Sequence, residues 1–186
     1  MSRDNEFWRY SLQVYAQRGV SELALNWQNQ YGLNVNVLLW CSWLESQDIA
    51  LTEKLLNSAL IGIEAWDTEI IKPLRAVRQT AAGLAANRNF LPAIDLSKPI
   101  AVRRAEKSLK PLLLAAELDA EQSLQAWLYE RLVAYLAEPE SLQRHTGAEC
   151  TNVALYLARV FAGEDPAEIS IKAMQWTKLC AKSEAL

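Results

Sequence analysis

A single histidine stands among 186 residues, which removes most histidine-based metal sites from consideration. That residue, His145, could in principle activate Cys150 as a nucleophile. Five residues apart on one helix, however, the two would point about 140° apart. Three cysteines, Cys41, Cys150 and Cys180, form no close pair and leave one over, so no disulfide framework is expected. Reduced thiols in a cytoplasmic protein are the expectation, and the start MSRDNEFWRYS lacks the apolar core of a secretion signal. The longest greasy stretch covers about ten residues where a bilayer span needs roughly 20, so no membrane association is expected. Strand signals are nearly absent, since only Leu33 to Val37 alternates with period two. There is no glycine-rich phosphate loop and no metal cluster, and no cofactor is expected.

What the chain does have is helical periodicity. The stretch Gly32 to Glu45, GLNVNVLLWCSWLE, keeps no polar stripe on any face, so a helix there must be covered on all sides. Asn34 or Asn36 can cap it. A first helix is expected from about Asp4 to Arg18, stopped by Gly19, and a second with Ser21 as cap and Gly32 as terminator. Thr52 begins the longest element. From Ala59 through Ile63, Trp66, Ile70, Leu74, Val77 and Ala81 to Leu84, apolar residues recur every three or four positions. Pro73 lies inside that run and predicts a kink or break near Glu69. Residues 86–98 read as a loop. A further helix starts at Ser97 with Pro111 as an internal breaker, and Asp119 with Gln122 forms a capping box for another. Thr146 to Phe161 and a helix opened by Asp165, Pro166 and Glu168 complete the chain. Trp8, Trp27, Trp40, Trp43 and Trp66 all fall on apolar faces and are assigned to the core, though such a cluster can also line a ligand pocket. The expectation is an all-α fold, a single bundle of about seven to eight helices around a buried central one. Residues 1–85 form its core helices, and 99–186 either pack on the same core or make a small extension.

The segment FWRYSLQVYAQRGVSELALNWQNQYGLNVNVLLWCSWL, followed by a tryptophan and KPLRAVR, resembles a proteobacterial family of small helical proteins of unknown function. The resemblance covers Phe7 to Arg78, with a weaker echo at Glu117 to Glu121. Asn34 stands where that family usually has aspartate, a change a capping role tolerates. The resemblance implies no activity.

Charge is unevenly distributed. The formal net charge is −5 from Met1 to Ile71, +7 from Lys72 to Lys110 and −5 from Pro111 to Leu186. The middle segment is a basic belt carrying Lys72, Arg75, Arg78, Arg103, Arg104, Lys107 and Lys110 among others. Arg75 and Arg78, matching the family's Pro-Leu-Arg-x-x-Arg, lie off the Ile70, Leu74, Val77, Ala81 stripe and are expected to be solvated. Two guanidinium forks on one side suit a carboxylate or phosphate. With Arg103, Arg104 and Lys107 they are the candidate binding residues, for an acidic protein partner. RNA is the alternative, although only Phe90 is interleaved as a stacking residue. A further alternative uses two acid pairs, Glu64 with Asp67 and Glu117 with Glu121, each on one helical face. Paired carboxylates holding Mg²⁺ in a helical bundle, with arginines as clamp, are the logic of enzymes acting on isoprenoid diphosphates. The plainer possibilities are a solvated basic face and structural ion pairs such as Asp67 with Lys72 or Arg75. The sequence reading favours a non-catalytic protein-interaction module.

Overall fold

The computed structural model describes residues 3–86, 100–137 and 151–181, with side chains for all of these except 84–86 and 100–110. Among the described residues it is all-α, without a strand. The helices are α1 (Glu6–Tyr15), α2 (Val20–Tyr31), α3 (Val35–Ser46), α4 (Glu53–Trp66), a π turn (Asp67–Ile71), α5 (Lys72–Ala86), α6 (Ile100–Leu136), α7 (Asn152–Val160) and α8 (Pro166–Cys180). They divide into two compact units, residues 1–61 with 124–186, and residues 62–123.

The first unit is built around α3. Every residue from Asn36 to Leu44 is buried, as an all-round apolar helix demands. Helices α1, α2 and α7 pack against it. Asn34 opens it as expected: its side-chain oxygen accepts from the N–H groups of Asn36 and Val37. Polar atoms pin the neighbours. The Trp176 indole N–H of α8 donates to Ser42 Oγ at 2.6 Å. Gln125 of α6 donates to Asn36 Oδ1 at 2.7 Å. The buried Asn152 ties the α3–α4 connection to α7, accepting from Leu51 N and donating to Ile49 O. Such bonds satisfy backbone groups that burial would otherwise leave costly.

Several boundaries differ from the sequence expectation. Helix α1 is shorter, because Asn5 caps it through Trp8 N and the chain turns after Tyr15. Gly19, at φ +89°, precedes α2 directly, so Ser21 lies inside the helix instead of capping it. Helix α7 begins at Asn152, where Thr151 accepts from Ala154 N. The expected stretch from Thr146 to Cys150, His145, and the loop after Ala86 lie outside the described residues. The largest difference is α6. Pro111 does not break it, and Asp119 with Gln122 caps nothing, because one helix of 37 residues runs through both. Its length is about 55 Å. A proline costs one internal bond and a steric adjustment, which the long helix absorbs.

Candidate functional site

The second unit contains the end of α4, the π turn, α5 and the first part of α6. Its site begins with Pro73. The helix widens where the kink was expected: Asp67–Ile71 forms a π turn, and Lys72 N donates to Asp67 O, five residues back. The wide turn lies immediately before the ring that an α-helix would have to accommodate.

A π turn holds one residue more than an α turn, so everything after it is rotated by about 100°. The burial pattern carries that signature. Ala59 and Ile63 are buried, and the next fully buried position is Ile71, eight residues on. Arg75 and Arg78 follow Ile71 at helical spacing and take the inward places that an unbroken helix would give to Leu74 and Val77. Ile70 and Val77, assigned to the core from sequence, are 37% and 52% exposed.

The inward arginines meet the acid pair of α6. Arg75 donates from Nε to Glu117 Oε1 at 2.9 Å and from Nη2 to Glu121 Oε1 at 3.0 Å. Arg78 donates from Nε to Glu117 Oε2 and from Nη2 to Glu117 Oε1. Because Arg75 pairs with Glu121 and Arg78 only with Glu117, the two helices run antiparallel. Trp66 adds a strut, its indole N–H donating to Ala120 O at 3.1 Å. The Glu117 side chain is only 6% exposed. Burial alone raises its pKa, but bonds to Arg78 and Arg75, together with their charges, outweigh that and hold it below the usual carboxylate range. Glu121 goes the other way: burial raises its pKa, the neighbouring Glu117 adds to the rise, and Arg75 offsets only part. The bond to Glu117 raises the Arg78 pKa. The cluster is two cations facing two carboxylates of unlike acidity.

Two expectations are corrected here. Arg75 and Arg78 are not solvated; their side chains are 21% and 27% exposed and committed to α6. Trp66 is not a core residue, being 39% exposed. The partner of Asp67 is Lys72, at 2.8 Å. Glu64 is exposed. The two acid pairs therefore do not face each other: Glu117 and Glu121 face arginines, and the Glu64 pair lies outside the cluster. A Mg²⁺ ion would compete with those arginines for the same carboxylate oxygens, and among the described residues no three acidic, histidine or cysteine side chains gather as a metal group. The side chains of Arg103, Arg104 and Lys107 on α6 lie outside the described ones.

What sequence periodicity missed is the apolar surface. Trp66, Ile70, Val77, Leu112, Leu114 and Leu118 of the second unit are all exposed. The signal was Pro73, which marks where an α phase stops being transferable along a helix.

The first unit has a recess of about 510 Å³ lined by Tyr10, Gln17, Glu45, Cys180 and others. Burial, and then the charge of Glu45, pushes the Cys180 thiol up to about 12. It is therefore a thiol at neutral pH, not a thiolate nucleophile. Cys41 is fully buried. No helix among the described residues is long and apolar enough to cross a membrane.

No curated protein and no solved structure matches this chain. Residues 6–128, which hold the α3 core and the whole arginine–glutamate cluster, match a family model, and the chain belongs to that family, described as a protein of unknown function (DUF2390).

Proposed function

We propose that this chain is a non-catalytic protein-interaction module that docks an acidic partner through its second unit. The observation that carries the reading is the apolar surface around the π turn: Ile70 and Val77 are exposed on a short helical pair, Ile70 two residues before and Val77 inside the segment that bears the chain's positive charge. Exposed apolar residues set among charge of one sign mark a contact surface better than either feature alone. Lys72, 61% exposed and bridged to Asp67, borders the apolar stripe, and Arg103, Arg104 and Lys107 lie on the facing helix. Arg75 and Arg78 contribute differently from the sequence expectation, by fixing which face of the helix is presented.

The test is a photocrosslinking amino acid at Val77, compared with one at Ile171 in the first unit, in cells that produce the native protein. The expected result is an adduct from position 77 alone, mapped to an acidic segment of one protein and weakened by Arg103→Glu, Arg104→Glu and Lys107→Glu together. Salt should weaken it too, because charges at a surface are screened over about 10 Å at 0.1 M. An adduct that nuclease removes would replace this reading with RNA contact, and equal labelling from both positions would end it.

A further inference from the structure

We propose that the second unit is built to hold two helical registers, with the π turn as the element that separates them. In the register of this structure Ile71, Arg75 and Arg78 face inward, and Ile70 and Val77 face solvent. In the other register an unbroken α-helix runs through residues 67–71. Ile70, Leu74, Val77 and Ala81 then pack toward α6, and Arg75 and Arg78 turn away from Glu117.

One helix carries a complete inward stripe for each register. The apolar residues from Ala59 to Leu84 keep α spacing without interruption, although the fold leaves Trp66, Ile70 and Val77 exposed. In the π register Ala59 and Ile63 are buried and Leu74 and Ala81 half-buried, so the stripe is only partly used. The arginine stripe is equally complete, since both guanidiniums find carboxylates on α6. The two stripes differ by one residue, the number a π turn inserts. Pro73 and the buried carboxylate of Glu117 hold the π register. Burial of the apolar stripe favours the other, and packed elements of this kind switch between discrete arrangements instead of deforming gradually. Resting on the docking reading, the device adds a regulation to it: the partner binds the π register more tightly, because only there are Ile70 and Val77 presented, and differential affinity shifts the equilibrium.

The register itself is tested without any partner, so its failure is distinct from failure of docking. Cysteine is placed at Val77 or at Ala82, and maleimide labelling at that residue is followed by peptide mass. In the otherwise native chain Val77→Cys should label quickly and Ala82→Cys, half-buried, slowly. Adding Pro73→Ala, Glu117→Gln and Glu121→Gln should slow position 77 and quicken position 82, each about tenfold, as expected when a minor state becomes the major one. Helical circular dichroism must be retained. Should the triple change unfold the chain, Pro73→Ala alone decides, because it removes only the ring that the wide turn accommodates and should move both labelling rates in the same directions. Unchanged labelling in a folded variant overturns the proposal. So does unfolding of both variants, since the α register would then not hold the unit together.

Discussion

Arg78 and Glu117 are joined by two hydrogen bonds, from Nε to Oε2 and from Nη2 to Oε1, although Arg78 stands seven positions past a proline-bounded π turn and 39 residues from its partner. A bidentate guanidinium–carboxylate pair is the strongest geometry available to these groups. Its carboxylate is largely buried, so removing the arginine leaves a charge that water cannot solvate. Arg78→Met should therefore cost about 3 kcal/mol or more in urea unfolding, and Arg75→Glu with Arg78→Glu more still. Arg78→Lys should fall between, because an ammonium cannot make both bonds. A double glutamate variant as stable as the native chain would show that the cluster does not hold this unit together.

The two carboxylates predict opposite pH behaviour. The folded pKa of Glu117 is lowered, so its stabilisation is present above the unfolded value and is lost as pH falls through the folded one. The folded pKa of Glu121 is raised, so its contribution is full below the unfolded value and is lost as pH rises through the folded one. At neutral pH Glu117→Gln should destabilise and Glu121→Gln should cost much less. The difference between them should shrink as the medium is acidified below about pH 4, where unfolded glutamates also protonate. Equal costs at neutral pH would contradict the assignment.

The α3 core predicts its own sensitivity. Leu39 and Trp40 are 3% and 0% exposed, and each truncation to alanine should cost about 2–5 kcal/mol through the cavity it leaves. Urea midpoints that barely move for both would place this helix at the surface.

Millimolar Mg²⁺ with inorganic diphosphate should leave the melting temperature unchanged, since a ligand stabilises only the state it binds and both acids of α6 are engaged by arginine. A rise abolished by Glu117→Gln would move the reading toward diphosphate chemistry.

The sequence by itself determined the class of fold, the buried central helix and the caps that open it. These are local or one-dimensional properties: an apolar helix with no polar face can only be surrounded, and Asn34 needs nothing beyond its own next three residues to cap a turn. It also marked Pro73 as the place of irregularity and singled out Arg75, Arg78, Glu117 and Glu121. What only the tertiary structure decided is how those four relate. A period of 3.6 residues assigns faces correctly only while the helix keeps that period. One π turn shifts the phase, so Ile70 and Val77, which read as core, become surface and the arginines that read as surface turn inward. Pro111 shows the complementary case, a breaker by local preference that α6 runs straight through. No local pattern distinguishes the two prolines. The answer depends on what the rest of the helix packs against, and for Pro73 the buried carboxylate of Glu117, far along the chain, is what rewards the shifted register.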